Sequence, residues 1–205
     1  MSRSTKLVDL AENRSDCDFT ADWPSSSDIK ILCKKAAGFF IYASTVVKFV
    51  DSELGLPTES LSLITSLPQS TAEEGRSGVD QLYAEVLQQA FHTLRADSSQ
   101  QYLRFQTVVG TILLIFNPLS IKGLSELLGC GIQYIRNTIR SLHSLLLIPE
   151  STEHPIHIFH KSFPDFLLDP VRCQDKWFLV EPASHHGEIT LVSQAYGGEV
   201  EEEYL

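Results

Sequence analysis

Five of the seven histidines fall in two clusters, His154-His157-His160 and His185-His186. Imidazole is the side chain best suited to proton transfer, metal ligation or phosphate contact near neutral pH. The adjacent pair diverges on any helix and makes a poor metal site. In the other cluster His154 falls in a turn, and period two sends His157 and His160 to opposite sides of a strand. A three-histidine centre is therefore not expected. The four cysteines, Cys17, Cys33, Cys130 and Cys173, are far apart, with no CxxC and no histidine at ligand spacing. They read as free thiols of a reducing compartment. No G-x-x-x-x-G-K-[ST] and no G-x-S-x-G occur, so nothing here cradles a triphosphate with its magnesium or raises a nucleophilic serine. Neither catalysis, nor a metal, nor a cofactor is expected. One imidazole remains for binding chemistry, His160.

His160 sits in the stretch from Ile156 to Pro170. Alternation puts Ile156, Ile158 and His160 on one strand face. Ser162 then offers an N-cap, with Asp165 at the third helical position, close to a capping box. Phe163, Phe166 and Leu167 form the apolar stripe of a short helix, and Asp169-Pro170 stops it. One imidazole thus stands at a strand end beside a helix N-terminus, a place where anions are held. It reads either as a phosphate-contacting histidine or as a half-buried one that positions the corner. The segment alone favours the corner role, since most buried polar groups serve the fold. The phosphate role needs a nucleotide-binding partner.

Residues 1–27 are polar and turn-rich, and look cut from something larger. They lack the apolar core of a signal peptide. Asp28 caps a long helix in which Leu32, Ala36, Phe39/Phe40, Ala43, Val46/Val47 and Val50 recur at helical spacing. Gly38 lies inside it and reads as a close-packing position. Residues 51–78 connect, with a short helix carrying Leu54 to Leu67 and exposed loop around Pro68 and Glu73-Glu74-Gly75. Ser77 caps the next helix, with its stripe from Val79 to Leu94, and Ala96-Asp97-Ser98-Ser99 breaks it.

The second half is denser. Leu103, Val108/Val109, Ile112/Leu113 and Phe116 mark a buried helix ended by Asn117-Pro118. Ser120 caps a short helix that Gly129 terminates. Ile132, Ile135, Ile139 and Leu142 mark a third. Leu145 to Ile148 and Pro155 to His160 make a β-hairpin across a five-residue acidic loop. The expected class is mainly α: a helical bundle followed by a winged-helix domain whose wing is a small β-hairpin. Trp177-Phe178-Leu179-Val180 reads as one more strand. A further helix starts near Ala183-Ser184 and gives way to an acidic tail. The expected divisions are 1–27, 28–99, 100–182 and 183–205.

A third helix of this kind can read DNA, and it carries Gln133, Arg136, Asn137 and Arg140. Two arginines in a chain of formal net charge −10 are a thin electrostatic footprint, so a solvated face is the better reading. Neither nucleic acid nor membrane is an expected partner. The longest apolar run, Val108 to Phe116, falls far short of the roughly 20 residues of a membrane span. With 43% hydrophobic and 20% charged residues, the composition fits a globular, cytoplasmic protein.

Five stretches in order carry a resemblance. Gly38-Phe39-Phe40-Ile41-Tyr42-Ala43, after Trp23-Pro24, resembles the "GLFIYA" helix of fungal NACHT-type NOD-like receptors. Leu82-Tyr83 with Val86-Leu87-Gln88-Gln89-Ala90 resembles their "LY..IL..A". Asn117-Pro118-Leu119-Ser120 resembles "DPLS". Leu142-His143-Ser144-Leu145-Leu146 resembles "LHSVL". His160-Lys161-Ser162-Phe163-Pro164-Asp165-Phe166-Leu167 resembles "HxSFxDFL". Together these span roughly residues 20 to 195.

The resemblance implies part of a signal-transduction NTPase: a helical lid over residues 28–99, then the winged helix. In such receptors the winged-helix histidine contacts the β-phosphate of ADP and holds the closed state, and His160 matches that position. Phe40 stands where plant and animal relatives carry a proline near the adenine, so that contact does not transfer. The P-loop and the Walker B acid are missing, so a truncated product or a fragment is expected. The implied role is a non-catalytic regulatory module that packs on the nucleotide-binding domain of a parent or related receptor and senses its nucleotide state. The alternatives are a free-standing protein-interaction module and a winged-helix nucleic-acid binder.

Overall fold

A computed structural model describes residues 7, 9–12, 19–20, 22–52, 56–68, 78–91 and 98–182. Cys17, Leu54, the 73–75 loop, the Ser77 cap, Leu94, the break at 96–97, the helix from Ala183 with His185 and His186, and the acidic tail lie outside them. The helices are α1 (Ser26–Ala36), α2 (Phe40–Val50), α3 (Pro57–Ser66), α4 (Gly78–Phe91), α5 (Ser98–Leu114), α6 (Ile121–Leu128), α7 (Ile132–Ile139) and α8 (Ser162–Leu167). Among the described residues the strands are β1 (Leu146–Leu147) and β2 (His157–Ile158), so the protein is mainly helical. No described helix is long and apolar enough to cross a membrane. Two compact units divide at Gln89/Ala90, inside α4.

In the first unit α1, α2 and α3 pack on one another. Ser25, rather than Asp28, is the N-cap of α1. Its hydroxyl accepts the Asp28 N–H at 3.1 Å, and the Asp28 carboxylate accepts the Ser25 N–H at 3.1 Å, a reciprocal capping box. The single long helix expected from Asp28 to Val50 is two. Ala37 adopts φ 46° and Gly38 φ 87°, which ends α1 in a left-handed turn. Gly38 is therefore a turn glycine and not a close-packing one, since a Cβ there would meet nothing within 4 Å. The turn leaves Phe39 and Phe40 60% and 64% exposed, while α2 buries Tyr42, Val46, Phe49 and Val50 on one stripe.

At the end of α3 the last carbonyls lack helical partners. The Lys35 ammonium supplies them, donating to the carbonyls of Ile64 at 2.7 Å, Thr65 at 3.0 Å and Leu67 at 2.5 Å.

The second unit is built on α5. Phe105, Val108 and Val109 are fully buried, but Leu103 is exposed, and Phe116 lies beyond the helix end, 91% exposed. The apolar spacing predicts both in the buried stripe. The stripe ends because α5 stops at Leu114, before Pro118. α5 and α6 pack on α7. Ser120 caps α6 by accepting the Gly123 N–H at 3.0 Å, and Gly129 closes it at φ 61°. The guanidinium of Arg104 lies 4.4 Å over the Tyr134 ring, joining α5 to α7.

β1 and β2 pair antiparallel, Leu146 with Ile158 and Leu147 with His157. The loop between them is longer than the five residues expected. Pro149 and Pro155 cannot donate to a ladder, and the returning chain pairs elsewhere. Pro155 bridges to Ser120, and the Ile156 N–H donates to the Leu119 carbonyl at 2.9 Å. Trp177 to Val180 is not a strand either. It turns at Lys176–Phe178, and Gln106 donates to the carbonyls of Trp177 and Leu179 at 3.1 and 2.9 Å. Trp177 and Phe178 then share an aromatic cluster with Phe91 and Phe105.

Candidate functional site

The corner from β2 to α8 carries His160. The strand ends at Ile158, so alternation stops before the histidine. Ile156 is buried and Ile158 half-buried, yet His160 is exposed, in contrast to the half-buried position expected. Ser162 is not the N-cap but the first residue of α8, and Lys161 holds the cap position without a side-chain bond. The imidazole does the capping. The Ser162 N–H donates to His160 Nδ1 at 3.1 Å, and the Ser162 hydroxyl lies 2.8 Å from the same nitrogen. The His160 carbonyl accepts the Phe163 N–H at 3.1 Å.

Two consequences follow for chemistry. The first donors of this six-residue helix are spent locally, so the expected anion site on its N-terminus is not there. Nδ1 accepts from the Ser162 N–H, which leaves Nε2 as the ring nitrogen able to donate, on a side chain that is exposed. Lys161 is exposed beside it. One oriented N–H donor and one neighbouring ammonium can meet an oxyanion brought by another domain. The rigidity comes from below, where Phe163, Phe166 and Leu167 are buried and the Val180 N–H closes on the Leu167 carbonyl at 2.9 Å.

His154 and His157 are exposed, His157 opposite Leu147. No group of three or more potential metal ligands assembles among the described residues. On α7, Gln133 donates to Asn137 at 3.2 Å and Arg136 donates to the Glu150 carbonyl at 3.0 Å. These side chains answer one another and the hairpin loop. Cys33, Cys130 and Cys173 are free thiols, and burial pushes the Cys130 thiol up.

The first unit holds two residues that sequence reasoning did not mark as functional, Lys35 and Tyr42. Tyr42 is 2% exposed, and burial pushes its phenol up to about 12. The folded state then keeps the proton that the unfolded chain loses near pH 10. Stability contributed by this group is present below pH 10 and is lost as pH rises toward 12, about 2–3 kcal/mol in all. Alkaline denaturation of wild type and Tyr42→Phe is expected to show a steeper loss in wild type between pH 10 and 12. Parallel curves would contradict this.

No family model matches the chain, and neither a characterised protein nor a solved structure matches it.

Proposed function

We propose that the chain is a non-catalytic regulatory module of the NACHT, NOD-like receptor type. A helical lid region precedes a winged-helix domain, and the module packs against a nucleotide-binding domain and senses its nucleotide state. The observation that carries the reading is His160. Its ring is held by Ser162 through Nδ1, which leaves Nε2 of an exposed side chain to donate. That is the arrangement a phosphate contact from another domain requires.

Two further features support it. The order helix, short helix, helix, two-stranded ribbon, helix from α5 to α8 suits a winged helix, with Pro155 bridging back to Ser120. In the first unit the neighbours Phe39 and Phe40 are both largely exposed, as residues of an interaction surface are.

The experiment is a titration of the chain against a NACHT nucleotide-binding domain with and without ADP. The ADP-loaded domain is expected to bind about tenfold more tightly, a difference worth about 1.4 kcal/mol, and His160→Ala is expected to remove the difference. Equal binding of loaded and empty domain would overturn the reading. Alone, the chain has no phosphate loop, so it is expected to bind Mg-ATP and ADP no tighter than about millimolar and to hydrolyse neither. Calorimetry giving a micromolar dissociation constant would contradict that.

A further inference from the structure

Residues 7 and 9–12 are helical and lie ahead of α1 in the first unit. Leu7 and Leu10, three apart and so on one helix face, are buried, while Asp9 and Glu12 are exposed. Leu7 lines a cavity of about 250 Å³ together with Ile29, Leu32 and Ala36 of α1 and Val46 and Val47 of α2. The α1 residues recur at i, i+3 and i+7, the spacing of one continuous apolar stripe. A groove between two helices thus holds a helical segment of the same chain by its leucines, the geometry in which amphipathic helices are recognised.

The cover is partial. Ile29, Leu32 and Val47 stay half-buried under it. The space left, about 250 Å³, exceeds the roughly 150 Å³ of an apolar cavity that takes up benzene, so it admits a further large apolar side chain. Gly38 also lines the cavity, and the exposed Phe39 and Phe40 follow it directly in the chain. Burial of two leucines is largely offset by the conformational entropy of ordering the backbone that carries them. A helix that brings a third apolar residue buries more area in the same groove.

We propose that the α1–α2 groove docks an amphipathic helix of a partner protein, with large apolar residues at i, i+3 and i+7, and that the segment carrying Leu7 and Leu10 is a strap which that helix displaces. The occupant already seated identifies the kind of partner, a helix held by apolar residues three apart, and the unfilled space adds the third residue. The site is separate from His160 and does not rest on the reading given to that residue.

The test measures binding of the whole chain to a fluorescein-labelled helical peptide with leucine at i, i+3 and i+7 and glutamate and alanine elsewhere. A peptide of the same composition with its leucines scattered is the comparison. A partner's affinity is reduced by the fraction of chains in which the groove is open, so Leu10→Asp, which unseats the strap, is expected to tighten binding about tenfold. Leu32→Asp in that background removes the groove wall and is expected to abolish it. In the wild type, saturating peptide is expected to shift the backbone amides of Leu7 and Leu10 along with those of Leu32 and Val47. Equal affinity of wild type and Leu10→Asp would overturn the proposal, as would equal binding of the scattered peptide or binding to neither protein. Self-association of Leu10→Asp in place of peptide binding would also overturn it, since the groove would then serve a second copy. Should Leu10→Asp fail to fold, Leu10→Ala decides, and unchanged affinity there overturns the proposal equally.

Discussion

Phe105→Ala is expected to destabilise the second unit by about 3–5 kcal/mol, the range for emptying a buried phenylalanine site. Phe105 has no exposed surface. Its ring meets Phe91 edge-on at 5.2 Å, Phe178 edge-on at 5.3 Å and Trp177 at 5.4 Å. Each such pair adds about 0.5–1.5 kcal/mol beyond the area it buries. The neighbours cannot collapse into the gap easily, because Gln106 holds the backbone of Trp177 and Leu179 in place. Domains are stable by only about 5–15 kcal/mol, so a large fraction of the margin is at stake. Urea denaturation followed by Trp177 fluorescence, in a Trp23→Phe background, reads the change. A loss under about 1 kcal/mol would mean that the cluster is not the core of this unit.

Lys35→Met is expected to cost the first unit about 1.5–3 kcal/mol, the scale of hydrogen bonds to a charged group. Methionine keeps the aliphatic stem and removes only the ammonium, so the carbonyls of Ile64, Thr65 and Leu67 lose a common donor. Lys35→Arg is not expected to restore full stability, because a planar fork cannot place its donors where a point charge can. Lys34→Met, one residue away and exposed, is expected to change stability little. Thermal melts of the three variants check the ranking. Equal losses for Lys34→Met and Lys35→Met would contradict the assignment of this cap.

The helices were legible where two kinds of signal agreed. For α6 the apolar spacing of Ile121, Leu124 and Leu128 coincided with a serine before it and a glycine after it, and both caps form. The break between α1 and α2 was hidden because its left-handed residue is Ala37, a good helix former, and because apolar residues continue at helical spacing through the turn. Trp177 to Val180 has the composition of a strand. Its conformation is set by Gln106, a residue 71 positions before Trp177, and no local pattern reveals that. A buried glutamine amid the apolar residues of α5 was the available sign, since such groups need partners. The hairpin was readable in outline, while its ladder was shortened by two prolines and by pairing with Leu119 and Ser120.

The same limits apply to the site. His160 was legible as a residue at a corner, and alternation suggested a buried face because the end of the strand could not be placed to the residue. Its cap on Ser162 depends on the side-chain geometry of the turn. Lys35 and Tyr42 gave no signal, since their roles come from helices that meet only in the folded unit.

Sensing of nucleotide state through His160 is tested most directly by ADP release from a receptor in which this chain follows an intact P-loop domain. A hydrogen bond to a charged phosphate is worth about 1.5–3 kcal/mol. Losing it from the closed state shifts the closed-to-open ratio by about one to two powers of ten. His160→Ala is therefore expected to speed ADP release about ten- to hundredfold. The melting temperature, measured on the same samples, is expected to fall only by the small amount that loss of one helix cap brings, about 1 kcal/mol. Unchanged ADP release with a lowered melting temperature would contradict the account and leave His160 as the cap of α8 alone.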